Sequence, residues 1–267
     1  MSSASSSGGL LRFRSAVPRA AVVVAAFLGA VTFLGAWWLI VALHVVAPIF
    51  LPSPATVARA FWTMCADGVA MPNALISIGR VWSAFLLSVL IAVPLGILMS
   101  GYRIIGAFLE PLIDFIRYLP VPALVPLAII WFGVGEETKI FLLWLGTFFQ
   151  LVLMVAADMK RVPGEYFETA YTLGAKPHET LGTVALPAML PQLMDSMRIS
   201  LGWCWTYVII AEIVASDSGL GFVIWTARRF MKTDQVMAGV IMIGLIGLLT
   251  DQCLRLLHRY LFRYQSS

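Results

Sequence analysis

Long, uninterrupted apolar runs constrain this chain more than any other feature. Residues 20–46, 73–100, 108–132, 138–157, 187–214 and 235–257 each form a stretch with few charges. A helix needs about 20 mostly apolar residues to cross a hydrocarbon core roughly 30 Å thick. Inside a bilayer every backbone N–H and C=O must find its partner within the protein, and a helix satisfies its own. Of the 267 residues, 60% are hydrophobic and 12% charged. Soluble domains carry about 25% charged residues and do not expose this much apolar surface. The expectation is an all-α integral membrane protein with about six transmembrane helices, the first stopped by Pro48.

The polar flanks set the expected topology. Met1 to Gly9 is rich in Ser and Gly and reads as disordered; Arg12, Arg14 and Arg19 then precede the first run. That run is too long for a signal-peptide core and ends without a small-residue cleavage pattern. The chain therefore divides into a basic N-terminus, 1–19, and one membrane domain, 20–267. With the N-terminus in the cytoplasm, ten Lys and Arg fall inside and five outside, the remaining three of eighteen lying within spans. This asymmetry favours both termini on the cytoplasmic side of an inner membrane. Between the first two spans, Ser53 and Pro54 are helix-start chemistry, and Val57, Phe61 and Met64 recur at helical spacing, as in a helix lying on the membrane surface.

Several function classes are disfavoured. The net charge of +4 comes from residues flanking apolar runs, with no basic patch interleaved with aromatics, so nucleic acid is not an expected partner; membrane lipid is. Cys65, Cys204 and Cys253 lack metal spacing, and His44, His178 and His258 stand alone, so neither a metal nor a catalytic residue is expected. No G-x4-GK[ST] sequence occurs, so the chain has no loop of that kind to cradle ATP phosphates.

The informative polar segment lies between the fourth and fifth spans. From Glu165 to Pro187 it reads as two short helices with a break. Glu165 and Glu168 suit a helix N-terminal turn, Phe167 and Tyr171 share one face beside Ala170, and Gly174 is a helix stop. A short helix apolar on one face either docks into a partner's groove or packs on its own transmembrane ends.

The same segment resembles the EAA loop of binding-protein-dependent ABC importer permeases, E-A-A-x3-G-x9-I-x-L-P. Glu168-Thr169-Ala170, Gly174, Val184, Leu186 and Pro187 fall at matching spacing, departing at Thr169 and Val184. Further stretches are similar to the nitrate, sulfonate and taurine branch of that family. They are Leu51 to Pro54, Ser77 to Val81, Leu127 to Glu136, Trp205 to Glu212 and Ser218 to Gly221. The resemblance implies a permease subunit moving a small solute, such as nitrate, a sulfonate or a carboxylate. It also implies a cytoplasmic ATPase subunit that carries ATP and magnesium, an extracytoplasmic substrate-binding protein, and a homodimer with the pathway near its interface. The loop becomes a coupling helix in which Glu168, Thr169, Ala170 and Gly174, with Phe167 and Tyr171, meet the ATPase. A secondary transporter or channel is the alternative; it would need no ATPase and no such loop.

Charges inside spans are costly and face protein or water. Arg80, Arg117 and Arg198 are the cations available to an anion pathway, although Asp114 with Arg117 and Asp195 with Arg198 are spaced to neutralise each other. The third span carries Pro111, Pro120, Pro122 and Pro126, which mark Tyr118 to Pro126 as either an irregular pore-side segment or a simple kink.

Overall fold

A computed structural model describes residues 18–214 and 216–263. Among these the regular structure is entirely helical. The N-terminal stretch read as disordered, Met1 to Gly9, lies outside the described residues, as do Arg12 and Arg14. By compactness the chain divides between Arg59 and Ala60.

The first unit holds α1 (Arg19–Ala42) and the start of α2 (Pro54–Ala66). Trp37 Nε1 donates to the Pro52 carbonyl at 3.1 Å, tying α1 to the chain that leads into α2. Ser53 caps α2 as its sequence position suggests: its Oγ accepts the Thr56 N–H at 3.2 Å, and Pro54 occupies the first helical position.

The second unit begins within α2 and continues through α3 (Ala70–Gly101), α4 (Arg103–Arg117), α5 (Val121–Phe132) and α6 (Glu136–Lys160). It goes on with α7 (Gly164–Thr172), α8 (Pro177–Thr180), a π-helical turn (Leu181–Ala185), α9 (Leu186–Val214), α10 (Leu220–Arg229) and α11 (Thr233–Leu261). Five segments are long and apolar enough to cross a membrane: α1, α3, α6, the π turn with α9, and α11. The bent pair α4 and α5 makes a sixth when the two are counted as one broken span.

The third span is therefore not the continuous helix expected over 108–132. It breaks between Arg117 and Val121, and its halves diverge by 100°. Pro120 has no N–H to continue the ladder and disfavours helical backbone at Leu119. The end of α4 tightens into short bonds, Tyr118 N–H to Phe115 O and Leu119 N–H to Ile116 O. Pro122 then sits in the first turn of α5, where its missing N–H costs nothing. Pro111 and Pro126 are accommodated inside helices, so position within the span decides which prolines break it.

α6 is central, packed along α3 on one side and α9 on the other. Small residues permit the approach, as is usual where lipid supplies no hydrophobic drive between helices. A Cβ on Gly96 of α3 would lie 2.7 Å from the Val152 carbonyl, and one on Gly146 of α6 would lie 2.6 Å from the Tyr207 ring. Ala92, Leu151, Val152, Val155, Ala185 and Met189 fill the core between these helices.

Between α9 and α11, bends at Asp217 to Gly219 lead into α10, which folds back on α11 so that Ile224 meets Gly239.

Candidate functional site

Three polar regions stand out along the helices of the second unit. The first surrounds α7, at the end where α3 and α6 finish and α9 begins. Glu168, Thr169, Ala170, Phe167 and Tyr171 all lie on α7, and Gly174 follows it with φ +88°. The helix ends in a Schellman arrangement: Ala175 N–H donates to Ala170 O at 3.0 Å and Gly174 N–H to Tyr171 O at 2.9 Å. Left-handed backbone at Gly174 is what closes those two bonds, so glycine is needed there for conformation. Space is not the constraint, because an added Cβ would meet nothing within 4 Å. Phe167 packs against the hydrophobic core, whereas Tyr166, Tyr171 and Leu173 are exposed. The hydroxyls of Thr169 and Thr172 bond back to Glu165 and Glu168 carbonyls, leaving both carboxylates of α7 facing outward. A groove of about 390 Å³ runs beneath the helix, between Leu98 and Tyr102 on one wall and Phe167, Tyr171 and Leu181 on the other.

The second region lies at the opposite end and was not legible as a unit. Arg80 of α3 is 3% exposed. Its guanidinium is taken up entirely by the protein: Nε and Nη2 donate to Glu136 at 2.7 and 2.6 Å, and Nη1 donates to Glu212 Oε1 and the Ser218 carbonyl at 2.8 Å each. Lys139 also reaches Glu136 at 2.8 Å. Glu212, fully buried, accepts the Ser77 hydroxyl and the Gly221 N–H. Ser77 Oγ in turn accepts the Leu220 N–H, and Asn73 Oδ1 accepts the Gly219 N–H. These side chains pair the first N–H groups of α10, which no intrahelical carbonyl can reach. Gly219, at φ +102°, is required twice, since a Cβ there would collide with the Glu212 carboxylate. Four of the stretches that carried the family resemblance converge here, from residue positions spread between 73 and 221.

The third region is a cavity of about 230 Å³ at the α4–α5 break. Arg117, Gln150, Trp203 and Tyr207 line it together with apolar side chains. Arg117 ion-pairs with Asp114 at 3.0 Å through Nε and donates to the Tyr118 hydroxyl at 3.0 Å through Nη2. Tyr118 and Pro122 are exposed at the break itself. Arg198 is elsewhere: it pairs with Asp195, as its spacing suggests, and more extensively with Asp251 of α11. Of the three arginines open to an anion pathway, one is therefore locked into the cluster around Glu212, one bridges α9 to α11, and Arg117 alone borders this cavity. Among the described residues no group of His, Cys, Asp or Glu is arranged to hold a metal.

Comparison with known proteins agrees with this layout. Residues 88–264 match the family described as binding-protein-dependent transport system inner membrane component. A putative aliphatic sulfonates transport permease of Bacillus subtilis is 36% identical over 86% of this chain and 84% of its own length. The taurine transport system permease of Escherichia coli is 34% identical over 84% of each. In fold, the chain resembles the inward-facing MetNI methionine ABC transporter with a TM-score of 0.53 at 20% identity, over 67% of this chain and 92% of that one. The chain thus belongs to the inner membrane components of binding-protein-dependent transport systems, as an ABC importer permease of the nitrate, sulfonate and taurine branch.

Proposed function

We propose that this chain forms the transmembrane pathway for a small organic anion, a sulfonate or a carboxylate, and that a separate ATPase subunit drives it through α7. The observation that carries the reading is the construction of α7. It is anchored inward by Phe167, with Tyr171 at the rim of the groove beneath it, and it presents Glu165 and Glu168 outward at the end of two transmembrane helices. A rigid body so placed transmits a push to α6 and α9 together. ATP and magnesium reside on the partner, and a soluble binding protein delivers the solute to the opposite end. The excess of Lys and Arg on the α7 side supports cytoplasmic termini. By analogy with the family, two copies assemble around the pathway.

The test is Gly174→Asp in the reconstituted complex. The position has room for a side chain, so the change adds a carboxylate beside α7 and left-handed backbone strain of at most about 1–2 kcal/mol. The variant should remain folded in the membrane yet lose solute uptake, while Gly174→Asn, which tolerates left-handed backbone, keeps more of it. Uptake by Gly174→Asp at the unaltered rate sinks the coupling assignment. Purification of the chain in mild detergent without any ATPase would move the reading to a secondary transporter.

A further inference from the structure

The cavity at the α4–α5 break has a composition that selects its occupant. Its lining holds one guanidinium, one carboxamide, one phenol and one indole, and no carboxylate. Every one of those four groups carries a hydrogen-bond donor. Gln150 and Tyr207 are half-buried, and neither has a side-chain hydrogen-bond partner among the described residues. Arg117 spends Nε on Asp114 and Nη2 on Tyr118, which leaves Nη1 without a protein partner among those residues. Arg117 stands between this cavity and a neighbouring one, which it lines with Glu110, Asp114 and Lys160. The rest of the lining includes the apolar side chains Val121, Leu124, Leu145 and Phe149.

The site is also built rather than left over. The Tyr207 ring lies directly over Gly146, where any Cβ would come within 2.6 Å of it. Glycine at 146 thus lets the phenol reach across α6. Gln150 stands about 21 Å from the start of α6 and about 15 Å from its end at 1.5 Å per residue, near the middle of the span. Unpaired donors at that depth are costly unless water or a ligand meets them.

We infer that this cavity is an oxyanion subsite, in which Arg117, Gln150 and Tyr207 donate to a sulfonate or carboxylate head group while Val121, Leu124 and Phe149 receive its short aliphatic tail. This deepens the importer reading by giving the solute class a place in the chain. Arg117 supplies charge, and Asp114 attenuates it, so that the anion is held weakly enough to leave.

The experiment uses the full chain in lipid nanodiscs, with Cys65, Cys204 and Cys253 replaced and a single cysteine at Leu119, which lines the cavity and takes no part in holding the anion. Its labelling rate is measured with an anionic sulfonatoethyl thiosulfonate and with the cationic trimethylammonium reagent, each normalised to a free thiol. The anionic reagent should be favoured at least about threefold, in keeping with field focusing in low-dielectric clefts. Arg117→Gln should abolish that preference, Arg117→Lys should keep it, and Asp114→Asn should enlarge it. Ethanesulfonate should slow labelling, while propylamine should not. Equal or cation-favoured labelling overturns the proposal, as does a site closed to both reagents or unmoved by ethanesulfonate. None of these readouts involves an ATPase, so loss of the coupling assignment would leave the outcome unaffected.

Discussion

Arg80 and Phe167 sit at opposite ends of the same helices and are held by opposite means. Around Arg80 every donor and acceptor is matched within the protein, across α3, α6, α9 and the entry to α10. Around Phe167 one aromatic side chain rests on an apolar core, and the polar groups of α7 face away or bond only along their own helix. The first arrangement specifies one geometry, because a half-broken buried network is worse than none. The second tolerates displacement and leaves a surface for another molecule. On the proposed reading, a transporter driven from one end uses both: a fixed joint where the helices meet the α9–α10 break, and a loosely seated lever where force would enter.

Removing the fixed joint should give the largest effect. Arg80→Ala would leave Glu212 fully buried without its cation, at a cost of roughly 3–5 kcal/mol for an orphaned buried charge. Unfolding of the nanodisc-embedded chain, followed by tryptophan fluorescence, should shift strongly downward. Glu212→Gln, which keeps an acceptor for the Gly221 N–H and the Ser77 hydroxyl, should fall between this variant and the parent. An Arg80→Ala chain that unfolds at the parent temperature would mean that the network is incidental to stability.

Loosening the lever should matter less to the fold. Phe167 is only partly buried, so Phe167→Ala removes part of a side-chain burial, about 1 kcal/mol. Limited proteolysis should then cut within residues 164–175 while the transmembrane helices stay intact. Equal protection of that segment in variant and parent would show that α7 is seated by something other than Phe167.

The two ends also differ in how far the sequence disclosed them. α7 is a local feature: acidic first turn, Phe167 and Tyr171 one turn apart, and a glycine stop at Gly174, all within ten residues. The spans are local too, since length and apolarity suffice to mark them. The joint is not. Ser77 and Glu212 are 135 residues apart, and Arg80 and Glu136 are 56 apart. A lone arginine on an apolar span reads equally as pathway, ion pair or snorkelling side chain, and nothing in its neighbours decides among them. The same holds for Asp251, a second partner that Arg198 gains beside Asp195, the short-range one its spacing suggested. The cluster of prolines located the break in the third span, but an angle of 100° depends on what α5 packs against, which no local pattern encodes.

The smallest change in stability should carry the most functional information. Tyr171 is 50% exposed and Glu168 faces outward from α7. Replacing either by Ala removes no buried contact beyond the rim of the groove under α7, so the unfolding transition should move by no more than about 0.5 kcal/mol. If α7 is the lever, the same substitutions strip the surface that an ATPase would grip. Recovery of the ATPase in a tagged purification should then fall with each single variant and be lost in the pair. Transport should fall in proportion. The contrast with Arg80 is what makes the result diagnostic: there, function fails because the fold fails, whereas here the chain stays folded and the partner is lost. Full recovery of the ATPase with the double variant would place the contact elsewhere on that end of the molecule, and would return α7 to the status of a loop packed on its own transmembrane ends.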